Sequence, residues 1–531
     1  MPSYSEILKS LLDDKTKFIP ILLFLFGIVI FSLSIISTPT NGDTYAYAYS
    51  IQHLEGSRIH PGYYYLGHLI YLVTGLLSLT PLLTLSIFSI ISGALAVSLV
   101  FLLIYNLSQD ILVSVITSLV LLFSGGFWFN SIYGEVYVPQ LLFVLLSLLF
   151  TCYHKPLIGS LFLLVAISIT PTSVLVLPAL LFILYRNKSD KKQFFYFIIP
   201  LIIPVLAVFV MKFSRIGDLI ELAVYSPKIF FQNFSLVFLF KKIISDLFYV
   251  YGKSFGLLNF MALLGLIFLY RENRNLFWIM FLLIIPFTLY IFNLGLLTED
   301  HLIITFVPMS LFTAYGLSRL FFYFKKQRIL ATGVVLILLF SQIWLSFQIY
   351  IFPEMKRSVI LESTLSEFSG QYEPEAILVS DWNFGMPFWY LTQNETNYSL
   401  LTGRPVKFFQ HDCPEKELCL QRLTQGFWID IPNLPIFLAE DELKNFAFKS
   451  DREIYFVNSK NQPNWLKEIF TGEESLIKET KTEKRIIRFV NYMEASLGSG
   501  LRVVDSLDFP MDRIYKLKVI SEDFGKVFGN K

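Results

Sequence analysis

Residues 81–105 read PLLTLSIFSIISGALAVSLVFLLIY, from Pro81 to Tyr105, without one charged side chain. An α-helix rises about 1.5 Å per residue, so roughly 20 apolar residues cross the hydrocarbon core of a bilayer. This stretch is long enough to span. Working outward from it, similar runs lie near 17–37, 111–129, 136–153, 156–170, 171–186, 193–212, 253–271, 276–294, 302–322 and 328–352, about eleven candidate spans in all. Pro171 divides 156–186 into two half-helices. A membrane tolerates such a break only where protein or water re-satisfies the freed backbone groups.

Composition agrees. Of 531 residues, 54% are hydrophobic and 16% charged, against about 25% charged in a soluble domain. Much of the surface therefore faces lipid. A net charge of +2 gives no global bias toward nucleic acid. The 54 Phe and 28 Tyr suit a membrane protein, where rings fill the core and anchor at interfaces. No small-residue cleavage site follows the first apolar run, Phe18 to Ile36, which reads as a spanning helix rather than a cleavable leader.

Past residue 353 no segment approaches spanning length. The chain is expected to divide into a transmembrane domain, 1–352, and a soluble domain, 353–531. Short β-like runs in the latter, Ala376–Val379 and Glu453–Val457, alternate with helical patterns, so it reads as α/β or α+β. Lys155, the cluster 186–192, Arg271 with Arg274, and 325–328 fall on one side of the spans, with Lys9, Lys15 and Lys17. The positive-inside rule makes that side cytoplasmic. The N-terminus is then cytoplasmic and the C-terminal domain extracytoplasmic, in a multi-pass protein of the inner (plasma) membrane.

The loops 38–80, 130–135, 213–252 and 295–301 then fall together outside, and they hold the unusual polar residues. Asp43 follows the first span, where a carboxylate can act as general base or hold a cation; it also fits the N-cap of a helix beginning at Thr44. His60 and His68 flank the apolar segment Gly62–Leu77, which fits a helix lying in the interface. Glu135 opens an otherwise uncharged helix, facing an aqueous cavity or a partner, or simply favouring the helix dipole. Glu299, Asp300 and His301 can bind a metal or substrate, or form a solvated turn. The outer loop 213–252 breaks the charge rule with Arg215, Lys228, Lys241 and Lys242, which fits a task at that face or an amphipathic interfacial helix.

Cys413 and Cys419 lie close enough in sequence for a disulfide in an exported domain, or stay as two thiols. The aromatics of 381–390 can stack on sugar or pack the domain's own core. Phosphate loops, nucleophile elbows and paired Cys-x-x-Cys motifs are absent from the sequence, which argues against nucleotide-driven chemistry.

Three stretches resemble the integral-membrane glycosyltransferases of the GT-C fold, in the branch of the protein O-mannosyltransferases. They are Gly42-Asp43 with His60-Pro61-Gly62-Tyr63 and Leu66-Gly67-His68; Phe127-Trp128 with Glu135-Val136-Tyr137; and Val307-Pro308 with Tyr315-Gly316-Leu317. The chain departs from that branch at Thr44 and Tyr45, where an acidic residue is common, and in having one proline at 61 rather than two. The resemblance implies a polyprenyl-phosphate hexose as donor and a protein, lipid or envelope-glycan acceptor on the outer face. Asp43 would be the catalytic base and Glu135 a second acidic residue of the active cavity. Arg58, Lys241 and Lys242 would hold the donor phosphate, with His60, His68, Asp300 and His301 lining the substrate site. An activated lipid-phosphate leaving group needs no nucleotide site and no cofactor, a divalent cation being left open; single displacement inverts the anomeric carbon. A transporter or flippase of a lipid-linked or polar substrate is the alternative, for which the half-helix pair at 156–186 speaks. A scaffold whose exported domain binds a partner predicts that Asp43→Ala is silent.

Overall fold

The computed structural model describes residues 15–54, 60–189, 191–211, 249–294, 300–323, 327–371, 377–379, 387, 390, 454–459, 501–508 and 512–519. The chain forms two compact units, a larger one of Met1–Ile36 with Ser50–Pro353 and a smaller one of Ser37–Tyr49 with Glu354–Lys531.

The larger unit is helical. Helix α1 spans Lys15–Leu33, α2 Gly42–His53 (its last turn belongs here), α3 Pro61–Gly75 and α4 Pro81–Ser108. Thr80 caps α4, its hydroxyl accepting the Leu83 N–H at 3.2 Å, and Pro81 fills the first helical position. At the far end Gln109 turns left-handed, with φ +56°, and Asp110 at once caps the next helix by accepting the Val113 N–H at 3.1 Å. That pairing of stop and start makes a sharp reversal. Helix α4 packs on α1, on α5 (Ile111–Leu122) and on α7 (Tyr137–Cys152), and its middle is almost wholly buried.

Two expected spans are bent and the run 156–186 breaks at Pro171 as expected, each for a visible reason. The run 111–129 bends by 62° between α5 and α6 (Gly125–Ile132). The Phe123 carbonyl, freed at the bend, accepts from Ser346 Oγ at 2.7 Å and Gln342 Nε2 at 3.3 Å. The Tyr350 ring lies where a side chain on Gly125 would go. The run 156–186 breaks at Pro171 into α8 (Pro156–Ile169), a 3₁₀ turn (Pro171–Val176) and α9 (Leu177–Arg186). Here the Ser173 hydroxyl donates to the Ala166 carbonyl at 2.9 Å, and Gln140 bonds Ser173 at 2.9 Å and Thr172 at 3.1 Å. Helix α10 runs Lys191–Met211.

The run 253–271 bends by 103° between α11 (Tyr249–Phe255) and α12 (Leu258–Glu272). Gly256 takes φ +50°, a left-handed conformation that glycine adopts freely, and its N–H closes the last turn on the Gly252 carbonyl at 3.0 Å. Helix α13 spans Arg274–Leu294; a 3₁₀ turn, Asp300–Thr305, leads into α14, Phe306–Tyr323; α15 spans Arg328–Ser346, followed by a π turn, Phe347–Ile351. Helices α12 and α14 cross in contact, Gly265 against the Phe312 carbonyl and Gly316 against that of Met261.

Among the described residues three helices are long and apolar enough to cross a membrane, or up to five if each bent pair is one span. They are Pro81–Ser108, Asp300–Tyr323 and Thr332–Glu367. Other apolar helices among the described residues, such as Tyr137–Cys152 and Pro156–Ile169, are shorter. Exposed Leu69, Val73, Leu263, Phe260, Ile337 and Phe340 give the helices an apolar outer surface, as a protein solvated by lipid requires.

The smaller unit contains α16, Phe352–Gln371, from Glu354 onward, and a four-stranded sheet in the order β1-β2-β4-β3. Strand β1 (Ile377–Val379) pairs in parallel with β2 (Ile454–Ser459), Ile377 opposite Ile454. Strand β4 (Asp512–Val519) runs antiparallel between β2 and β3 (Leu501–Asp508), with a bulge between Val503 and Asp505. The mixed sheet with a helix fits the expected α/β or α+β class, and both β-like runs read from sequence are strands.

Candidate functional site

Four breaks of regular structure meet at one end of the larger unit: the start of α3, the end of α8, the α6–α7 connection and the 3₁₀ turn at 300–305. Each brings polar side chains. Asn130, in the last turn of α6 and fully buried, donates through Nδ2 to the Gly126 carbonyl and to Asp300 Oδ1, both at 2.8 Å. The next residue, His301, accepts or donates through Nε2 at 3.1 Å from the Tyr137 hydroxyl, with the rings 5.0 Å apart. His60 is an electrostatic neighbour of His301. Its Nδ1 lies 2.7 Å from the Ile169 carbonyl, the last of α8, and satisfies the backbone where Pro171 breaks the span. Burial pulls His60 below the usual imidazole range, and the Ile169 carbonyl works against that.

Glu135, two residues ahead of α7, is buried, with 4% of its surface exposed. It is an electrostatic neighbour of Tyr63, which stacks on Phe88 at 5.8 Å. Burial first, then the Glu135 charge, holds the Tyr63 phenol protonated, well above its usual range. The arrangement thus offers two carboxylates, two imidazoles and neutral hydroxyl and amide groups in a mostly buried setting. It can orient a hydroxyl-rich molecule and hold or move a proton. Among the described residues no group of three His, Cys, Asp or Glu side chains is placed to hold a metal ion.

Helix α11 joins this end from another direction. The Tyr251 hydroxyl meets Thr305 Oγ1 at 2.5 Å, so α11 is tied to the turn that carries Asp300 and His301. Lys253 lies over the Tyr350 ring at 4.4 Å and the Tyr249 ring at 5.8 Å, while Ser254 and Tyr350 share a hydroxyl contact at 2.9 Å. The Tyr350 ring is also 6.0 Å from Phe129, beside Asn130 in α6.

Asp43 belongs to the smaller unit, exposed in the first turn of α2. It is not the cap of that helix. Asn41 Oδ1 accepts the Asp43 N–H at 3.0 Å and takes that part, so the capping explanation for Asp43 falls away. Just before it, Thr38 and Thr40 are bonded to α16 through Ser358, Glu362 and Glu354.

The sequence-predicted residues therefore divide. Glu135, His60, Asp300 and His301 come together. His68 serves elsewhere, Nδ1 at 2.6 Å from the Ile51 carbonyl, and joins α2 to α3. Arg58, Lys241, Lys242, Glu299, Cys413, Cys419 and the aromatics Trp382, Phe384, Phe388 and Trp389 lie outside the described residues. Asn130, Tyr63, Tyr137 and Lys253 were missed. Asn130 carried a signal as an amide in an apolar run, and Tyr63 and Tyr137 stood inside the motif stretches without a role of their own. Trp128, part of the motif pair, turns out to pack, its Nε1 donating to Ser34 Oγ at 3.1 Å.

No family model matches the chain, and no curated protein does. Solved structures are similar. The archaeal oligosaccharyltransferase AglB from Archaeoglobus fulgidus, in complex with an inhibitory peptide and a dolichol-phosphate, is 13% identical, with 83% of this chain and 69% of that one covered, at a TM-score of 0.47. An Archaeoglobus fulgidus oligosaccharyltransferase in the apo form is 11% identical over 94% and 88%, at 0.47. ArnT from Cupriavidus metallidurans in the apo state is 11% identical over 93% and 97%, at 0.48. All three scores lie below 0.5, and the functional reading rests on this chain's own residues.

Proposed function

We propose that the chain is a glycosyltransferase that moves a sugar from a polyprenyl-phosphate-linked donor to a protein, lipid or envelope-glycan acceptor on the outer face of the membrane. The observation that carries the reading is the buried gathering of Glu135, Asn130–Asp300, His60, His301 and Tyr63 at the ends of apolar helices rather than in their middles. His60, Tyr63 and Glu135 among them belong to the stretches that resemble the GT-C glycosyltransferases. Asp43 takes the proton of the incoming hydroxyl. Glu135 and Asp300 order the sugar through its hydroxyls, and Tyr63 stays neutral as a donor. The donor phosphate leaves without nucleotide chemistry, and its charge is met by a cation. Lys253 supports that role: it is a lysine held over two tyrosine rings, those of Tyr350 and Tyr249.

Transport is the second reading, favoured by the broken span at Pro171. The Ile169 carbonyl at that break, however, bonds to His60 rather than standing open for an ion. One experiment separates the two. The protein in nanodiscs is given a panel of polyprenyl-phosphate sugars with peptide and lipid acceptors. Turnover of one donor that is lost in Asp43→Asn and Glu135→Gln supports the transferase. Equal turnover in all three removes these carboxylates from the mechanism. Donor movement across sealed proteoliposomes without transfer establishes the transporter.

A further inference from the structure

The exposed carboxylate of Asp43 sits on a short segment, Ser37–Tyr49, with little chain of its own to hold it. What holds it is α16, more than 300 residues later. Glu354, 3% exposed, divides its two oxygens. Oε1 accepts the Thr40 N–H at 3.2 Å and the Thr40 hydroxyl as well; Oε2 faces Arg357 at 3.6 Å. One helical turn on, Ser358 Oγ accepts the Thr38 N–H at 3.1 Å, and Glu362 accepts the Thr38 hydroxyl at 3.3 Å. Positions 354, 358 and 362 repeat every four residues, so one stripe of α16 grips alternate residues of the segment. On its other side Tyr45 is fully buried against the Tyr390 ring at 5.6 Å. Between the two anchors Asn41 takes the Asp43 N–H and fixes the turn.

We propose that Glu354 is a positioning residue for Asp43: through Thr40 it sets where the base stands. The proposal rests on the reading of Asp43 as the base. A buried carboxylate that accepts two bonds from one threonine is a costly way merely to fasten a loop, because burying the charge is unfavourable unless it is well paired. It is a good way to fix a position, since a misplacement of about 1 Å at a reacting group lowers turnover by roughly a hundredfold.

The test uses the full chain in nanodiscs, with Glu354→Ala, Glu354→Gln, Thr40→Val and Asp43→Asn. Sugar transfer is measured alongside hydrogen–deuterium exchange of peptides covering 37–49. The expected result for Glu354→Ala is turnover lower by about a hundredfold, donor KM nearly unchanged, and faster exchange over 37–49. Glu354→Gln, which still offers Thr40 a carbonyl oxygen, recovers most of both. Thr40→Val, which keeps the N–H, falls between, and these two variants carry the test if Glu354→Ala does not fold. Unchanged exchange in the Glu354 and Thr40 variants, or wild-type turnover in Glu354→Ala, overturns the proposal. Failure of the underlying reading is separate: Asp43→Asn then keeps full turnover, and the grip on Thr40, if exchange still reports it, loses its catalytic meaning.

Discussion

The crossing of α12 and α14 predicts opposite signs for one chemical change. A Cβ added at Gly265 falls on the Phe312 carbonyl and within 2.7 Å of the Gly316 amide nitrogen. Both are backbone atoms, so no rotamer change relieves the clash, and the helices must part until carbon and oxygen reach about 3.3 Å. Parting two helices along a buried seam loses contacts over several turns; overpacking of this kind costs about 1–3 kcal/mol or more. Gly333, in α15, meets nothing within 4 Å. There the added methyl only restricts the unfolded chain and improves helix propensity, a gain of about 0.4–1 kcal/mol. The two variants should therefore differ by about 1.4–4 kcal/mol. At roughly 2–4 °C per kcal/mol in a large domain, Gly333→Ala melts at or slightly above wild type and Gly265→Ala well below it. The assay is thermal unfolding in one detergent at one scan rate, since membrane proteins often unfold irreversibly. Gly265→Ala melting with or above wild type would refute the close crossing.

Three further outcomes follow from the site. Asn130→Ala removes the amide that bonds Asp300, a bond to a charged group worth about 1.5–3 kcal/mol, so transfer falls roughly ten- to a hundredfold in a steady-state assay; an unchanged rate would take Asp300 out of the site. Lys253→Ala raises the donor KM while acceptor KM holds, and Lys253→Arg restores it, which titration with polyprenyl-phosphate sugars checks. For His60 the folded imidazole lies below its ordinary 6.5, so the unfolded chain takes up its proton first. The contribution is present above that value and is lost as pH falls through the depressed folded value. Melting temperature should decline below about pH 6.5 in wild type, and less steeply in His60→Asn, whose amide can still donate to Ile169.

What the sequence showed depended on how local each cause was. The run 81–105 is apolar for physical reasons that act residue by residue, and it is a helix. Pro171 breaks its span because its ring and missing N–H do so anywhere, and the Ile169 carbonyl left at the break finds its partner in His60. Glu135 was visible because one carboxylate among apolar residues stands out. The bend at Phe123–Ser124 was not, because its causes are Gln342 and Ser346, over two hundred residues away, whose amide and hydroxyl are common in membrane helices. The hairpin of β3 and β4 was also passed over, although Tyr515, Leu517 and Val519 alternate with Lys516 and Lys518 closely enough to have marked a strand.

Glu354 shows the same limit at the site itself. By position it opens the polar part of the chain, where a glutamate is ordinary and solvated. Its meaning comes only from Thr40, 314 residues earlier, and a pairing at that separation leaves no periodicity or spacing to read. Acidic residues that touch substrate are legible when their surroundings make them rare. Those that hold another acidic residue in place are legible only once the chain is folded.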